Sequence, residues 1–337
     1  MNGGPRSVSD ATRERVLKAV ADLGYRPNAV ARALRSASSR VIGLIVPDIT
    51  NPFFAELALA IERGAFARGY SLFLGNAMHD DEQQAGYLRA FSDHQVRGVL
   101  VIGATAGPRG MFPPATKAAL AAQNMTLVFL DRVPRGTNGV MLRVDNTRGA
   151  YEGTRHLAVD HAHRQVGCIS GPESASSARD RDRGWAKALT EAGIDPKKQL
   201  RGRAEFDRYD AFDVARTMFG ARKRPTALFV HSDEQAIGVL YAAAAEDLRI
   251  PEDLAVVSFD GIRESALTQP PLTTVEQPLE LAAERALDLL IEGIDSGQNA
   301  AKTETLPVRL IVRESCGCAA RESKKSGRTG RKVALTA

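Results

Sequence analysis

Val41-Ile42-Gly43-Leu44-Ile45-Val46-Pro47-Asp48-Ile49-Thr50-Asn51-Pro52-Phe53-Phe54 is the stretch that decides the fold. Its first six residues are apolar on both faces, the mark of a strand buried between helices. From Phe54 the period changes: Phe54, Leu57, Ala58, Ile61 and Ala65 recur at i, i+3, i+4, i+7 and i+11, one face of an amphipathic helix. Similar strands follow at Ser71–Leu74, Gly98–Ile102, Leu127–Leu130, Val166–Ser170, Ala227–Val230 and Ala255–Phe259, with helical stretches between them. Strand–helix alternation of this kind predicts an α/β fold of parallel, doubly wound sheets with right-handed crossovers. The series runs twice, over about 41–143 and 146–274, which predicts two lobes. A helix at about Leu279–Ile291 and a last strand at Leu306–Val312 have no local partners and are expected to return to the two sheets. The N-lobe is then 41–143 plus 276–305 and the C-lobe 146–274 plus 306–314, with several chain crossings forming a multi-strand hinge.

Bulk properties fit this division. A chain of 337 residues exceeds one average domain, and 44% hydrophobic with 25% charged residues is ordinary globular composition. No apolar run approaches the ~18 residues of a membrane span, and the N-terminus lacks a secretory apolar stretch. Three cysteines provide no disulfide framework. A cytoplasmic location is expected. The net charge of +5 is unevenly spread: residues 1–40 carry eight Arg/Lys against three acids, and residues 319–337 six against one. That leaves 31 basic and 36 acidic residues between, so a polyanion is expected to meet an end of the chain, not its body. Residues 315–337 read as a basic, disordered tail.

The front segment, 1–40, reads as a partial helical DNA-binding headpiece. Ser9 and Asp10 suit a helix start, Val16, Leu17, Val20 and Leu23 share a face, and Gly24 ends a helix of about 10–23. Tyr25-Arg26-Pro27-Asn28 breaks the chain, and a second helix over 28–35 is too short to hold itself together in water. DNA would order it: Arg32 and Arg35 on phosphates, Leu34 wedged into a minor-groove step. A solvated basic linker is the competing reading.

Three motifs carry a specific resemblance: Val8-Ser9-Asp10-Ala11-Thr12-Arg13-Glu14-Arg15-Val16, Gly24-Tyr25-Arg26-Pro27-Asn28-Ala29-Val30-Ala31-Arg32, and the Ile42–Phe54 stretch. With Leu130-Asp131-Arg132, Val144-Asp145-Asn146, Ser170-Gly171-Pro172, Arg179–Trp185, Ser258-Phe259-Asp260 and Thr273–Pro278, the chain resembles the lactose/galactose-repressor (LacI/GalR) family in order from about residue 6 to 314. The resemblance implies a periplasmic-binding-protein-like type I body over 41–314 that binds an effector between its lobes. It implies a cytoplasmic, homodimeric, effector-responsive transcriptional repressor acting on operator DNA. Residues 10–23 are similar to the family's third headpiece helix and 28–35 to its hinge helix, so Tyr25, Asn28, Arg32, Leu34 and Arg35 are the DNA-binding candidates. The helix-turn-helix that precedes them in the family has no counterpart after Met1-Asn2-Gly3-Gly4, and a truncated gene start is the expected reason. A headless or periplasmic-type sugar-binding sensor is the alternative.

Ligands of doubly wound sheets sit beyond the strands' carboxyl ends, so the cleft candidates follow strands. Phe53 and Phe54 follow the first strand, and either ring could stack on a sugar or a base. Arg181 lies in an alternating charge run with Arg179 and Arg183; the resemblance favours it as the donor fork for ligand hydroxyls or a carboxylate. Asp260, and more weakly Asp131 and Asn76, end strands and offer polar groups. Phe206 corresponds to an aromatic that covers the ligand from the C-lobe. Ser232 and Asp233 are candidates too, although an N-cap role competes. The expected effector is a carbohydrate, with a purine also able to fit.

Catalysis and cofactors are not expected. There is no Walker lysine loop, nucleophile elbow or Gly-x-Gly fingerprint after the first strand, and Asp80-Asp81-Glu82 reads as an acidic helix start. His161-Ala162-His163 has no cysteine or carboxylate cluster nearby at ligand spacing, and Cys316-Gly317-Cys318 is a lone C-x-C, so no metal is expected either.

Overall fold

The computed structural model describes residues 9–22, 40–102, 114–122, 125–132, 139–297 and 301–318. The chain divides into two compact units, 1–40 and 41–337. In the first, α1 spans Asp10–Asp22. The Ser9 carbonyl accepts from the Thr12 and Arg13 amides at 3.0 Å each, and Asp10 lies in the first turn, where a negative charge favours the helix dipole. The DNA-binding candidates Tyr25, Asn28, Arg32, Leu34 and Arg35 lie outside the described residues, as does the tail from 319.

The second unit alternates strand and helix: β1 (Val41–Val46), α2 (Pro52–Ala67), β2 (Ser71–Asn76), α3 (Asp81–Asp93), β3 (Gly98–Ile102), α4 (Pro114–Ala121), β4 (Thr126–Leu130) and β5 (Val140–Val144). The chain then crosses to α5 (Asn146–Arg155), a π-helical turn (His156–Asp160), β6 (Val166–Ser170), α6 (Ser176–Glu191), β7 (Arg201–Arg203), α7 (Arg208–Phe219), β8 (Ala227–Val230), α8 (Asp233–Ala245), β9 (Ala255–Asp260) and β10 (Thr273–Glu276). It returns as α9 (Leu279–Ser296) and β11 (Lys302–Leu306), and crosses a third time into β12 (Arg309–Ile311). The first sheet runs β11-β5-β4-β3-β1-β2 and the second β12-β10-β9-β8-β6-β7. Every pairing is parallel except β10 with β12.

β1 shows why both faces had to be apolar. Ile42, Leu44 and Val46 pack into the core under α2 and α9, while Ile45, one residue out of phase, packs with Leu88 and Phe91 of α3. The second sheet is covered in the same way, by α7 and α8 on one face and by α5 and α6 on the other. The two doubly wound parallel lobes agree with the sequence reading.

The strand read at Leu306–Val312 is a correction. Only Arg309–Ile311 of it forms a strand, β12 in the second sheet; Leu306 ends β11 (Lys302–Leu306) of the first sheet, which the periodicity did not reveal, and the two are separated at Pro307-Val308. Proline has no amide hydrogen for a ladder, and the break lets the chain change sheets. β5, β7 and β10 escaped the periodicity reading. β7 is only Arg201-Gly202-Arg203, with both arginines exposed on an edge. Among the described residues no helix is long and apolar enough to cross a membrane.

Candidate functional site

Both sheets direct the carboxyl ends of their strands into one cavity of about 480 Å³ between the lobes. Pro47 after β1, Ile102 of β3, Asp131 after β4 and Val144 of β5 line it from one side; Pro172 after β6, Glu205 and Phe206 after β7, and Asp260 of β9 line it from the other.

Arg181 is the charged centre of its wall. Gly184, one turn later on α6, lets that helix lie against α5: a Cβ there would collide with the Thr147 carbonyl oxygen. The close approach brings the buried Arg181 Nε to 2.8 Å from Asn146 Oδ1 on α5. One terminal nitrogen donates to the His231 carbonyl, and the other lies 3.1 Å from Asp260 Oδ1. Its Cζ sits 3.7 Å from the Phe259 ring centroid. Three bonds fix a guanidinium with five N–H groups, so two donors remain for a ligand among the described residues. Arg179 and Arg183 turn elsewhere: Arg179 donates to the Glu173 and Ser174 carbonyls, and Arg183 pairs with Asp180.

Two carboxylates reach the cavity from unusual backbone. Asp131 has φ +84° and Asp260 φ +111°, a region that costs a non-glycine residue about 1–3 kcal/mol. Neighbouring strands hold them there: Asp131 N–H donates to Leu142 O at 2.8 Å, and Asp260 O accepts from Gln277 N at 3.0 Å. Burial raises the Asp260 carboxyl above the ordinary carboxylate range, opposed by Arg181 and by Gln277, whose amide donates to Oδ1 at 2.8 Å.

Both Phe53 and Phe54 line the cavity, edge to face with centroids 5.2 Å apart. Only Phe53 also packs against the second lobe's core. Phe206 lines the far wall, with its ring over Gly171, where a Cβ would run into the ring. Among the described residues, hydrogen bonds that span the lobes away from the chain crossings include Asn51 Nδ2 to Phe206 O at 3.2 Å, Ser176 Oγ to Asp131 Oδ2 at 2.8 Å, and Arg263 N to Glu56 Oε1 at 3.0 Å.

Three candidates are not in the lining. Asn76 accepts from the Ile49 amide at 3.0 Å and braces the loop after β1. Ser232 caps α8 by accepting from Gln235 N at 3.1 Å. Asp233, fully buried, accepts from Ser258, from Thr274 at 2.6 Å, and from the Gly261 and Ile262 amides at 2.7 and 2.9 Å. It holds the turn behind Asp260, and burial together with Asp260 pushes its carboxyl up to about 7. Conversely, the sequence reading passed over Asn146 and Gln277 as cleft residues, although both lie in motifs it quoted. Their signal is position: each follows a strand at a point where the chain changes lobe.

The histidines also need correction. Cys316 and Cys318, remote from His161 in sequence, are folded against it and against His156. His163 instead bonds Thr226, Nδ1 to Oγ1 at 3.1 Å.

A periplasmic binding protein-like domain family matches residues 154–316. The chain is 31% identical over 310 residues to the HTH-type transcriptional repressor PurR of Photobacterium profundum, covering 92% of this chain and 91% of that one. Among solved structures, the Lac repressor dimer bound to operator and the anti-inducer ONPF superposes with a TM-score of 0.81 at 28% identity over 92% of both chains. A complex of the transcriptional regulator CelR with cellobiose gives 0.73 at 26% identity over 93% of both. A likeness that runs through nine-tenths of the sequence, and through both lobes of the fold, makes this chain a member of the LacI/GalR family of transcriptional regulators.

Proposed function

We propose that the protein is a repressor whose interlobe cavity takes a carbohydrate or carbohydrate derivative, and whose lobe arrangement sets its hold on operator DNA. The carrying observation is the cavity lining, which combines the rings of Phe53, Phe54 and Phe206 with the polar groups of Arg181, Asp131 and Asp260. Flat apolar faces beside paired acceptors and a donor fork suit a sugar ring with its vicinal hydroxyls. The likeness to a cellobiose-bound regulator supports the same chemistry.

The N-lobe (41–143 with 276–305) and C-lobe (146–274 with 306–314) move about the three crossings, and an effector acts by binding one arrangement better than the other. DNA contact is assigned to Tyr25, Asn28, Arg32, Leu34 and Arg35 on their sequence motif. Acting on DNA, the protein works in the cytoplasm. A homodimer matches two operator half-sites, and edge strand β2 exposes Phe73 and Leu74 for a second copy. A thermal-shift screen of sugars, sugar acids and purines tests the reading. A sugar should raise the wild-type midpoint and leave Arg181→Ala unmoved; an equal shift in the variant removes Arg181 from the site, and a response to purines alone replaces the ligand class.

A further inference from the structure

We propose that His156, His161, Cys316 and Cys318 form a tetrahedral structural site for a borderline-soft divalent cation of the Zn²⁺ class. Each residue offers one ligand atom, and all four atoms lie within 4.8 Å of one another.

The backbone builds the cluster from two sides. His156 and His161 are five residues apart, a spacing that an α-helix would splay to different faces. The π-helical turn at the end of α5 widens the coil and closes with a bond from His161 N to His156 O at 3.1 Å, so the two rings meet at 4.7 Å between centroids. From the other side, Ser315 anchors the chain after β12, donating to Val256 O at 2.7 Å and accepting from Thr273 N at 2.8 Å. Gly317, at φ +92°, then reverses the chain so that Cys316 and Cys318 face the same rings.

The distances match a tetrahedron. Zinc bonds of about 2.3 Å to sulfur and about 2.0–2.1 Å to nitrogen place N and S ligand atoms roughly 3.6 Å apart. The observed separations are 3.4 Å for His156 Nε2–Cys316 Sγ, 3.5 Å for His156 Nε2–Cys318 Sγ and 3.2 Å for His161 Nε2–Cys318 Sγ. Two thiols and two imidazoles, with no oxygen donor, select zinc over magnesium or calcium. The surroundings orient the first histidine: His156 Nδ1 lies 3.0 Å from Asp160 Oδ2, and Arg155 clasps that carboxylate at 3.0 Å on both oxygens. A proton on Nδ1 turns the Nε2 lone pair toward the sulfurs.

Another cluster, Cys168, Asp182 and His231, differs in its environment. Burial drives the Cys168 thiol up to about 12, and the Arg201 and Arg203 guanidiniums beside Asp182 repel a cation. With four protein ligands and no open position, the proposed site is a clamp and not a catalytic centre. It ties the end of β12 to the far end of α5, the helix whose first residue holds Arg181.

The test uses the full chain, purified under reducing conditions with zinc and then gel-filtered in metal-free buffer. One zinc per chain is expected by elemental analysis, and cobalt in its place should give intense tetrahedral visible bands with a thiolate charge-transfer band. The double variant Cys316→Ser/Cys318→Ser, and separately His161→Ala at its half-buried position, should lose stoichiometric zinc while keeping the wild-type far-ultraviolet dichroism. Asp160→Asn should bind zinc about 10–100-fold more weakly. Loss of zinc from the wild type on gel filtration overturns the proposal. So does a cobalt spectrum without the thiolate band, or unchanged stoichiometry in the cysteine double variant.

Discussion

Arg181→Met removes the positive charge that faces the buried Asp260 carboxylate. In the wild type, Arg181 lies 3.1 Å from Asp260 Oδ1, with both side chains under one-tenth exposed. Without the guanidinium, Asp260 must either stay ionised and unpaired or take up a proton. Protonation sets the ceiling: from an ordinary value of 3.8, it costs about 5 kcal/mol at pH 7.5 and about 2 kcal/mol at pH 5, at 1.36 kcal/mol per unit. The first figure agrees with the ~3–5 kcal/mol lost when one partner of a buried pair is removed. Urea denaturation at the two pH values measures the difference. The destabilisation should shrink from pH 7.5 to 5, by at most about 3 kcal/mol, and Arg181→Met/Asp260→Asn should recover most of the loss at pH 7.5 without recovering effector binding. A loss below about 1 kcal/mol at pH 7.5, or one that does not change with pH, would refute a buried pair as the centre of the wall.

Gly171→Ala drives a methyl into the Phe206 ring, which must swing. Stability should fall by no more than about 1–3 kcal/mol while effector affinity drops about tenfold by calorimetry, and unchanged affinity would remove Phe206 from the ligand contacts. Asp233 supplies the pH dependence. Its carboxyl is raised to about 7, so the folded chain holds a proton that the unfolded chain releases near 4. Its contribution is therefore complete below about pH 4 and declines as pH rises through 7. The stability difference between wild type and Asp233→Asn should narrow from pH 5 to 8, and a constant difference would show that Asp233 stays ionised. Glu56→Ala removes the acceptor of the Arg263 amide across the lobes. Small-angle scattering should show a larger radius of gyration without effector, and identical profiles would argue that this bond does not hold the lobes together.

The sequence by itself determined the layer architecture, because burial on both faces leaves its mark in every residue of a strand such as Val41–Val46. It also marked the places where strands end, and so pointed to Asp131, Asp260, Phe53 and Phe54, while the family resemblance pointed to Arg181 and Phe206; the fold brings all six to one cavity. Tertiary structure alone decided what each polar group faces. Asp233 and Asp260 lie in the same kind of position after or beside a strand, yet four donors turn Asp233 inward while the positive φ of Asp260 turns its carboxylate to the cavity. The break at Pro307-Val308 likewise depends on two sheets whose positions no local period records. The four-residue cluster is the extreme case. His156 and Cys316 are 160 residues apart and meet only because β12 returns beside β10. Local sequence encodes which face of an element is apolar; contacts between elements follow from how the closed chain packs, and there the chemistry of this protein was decided.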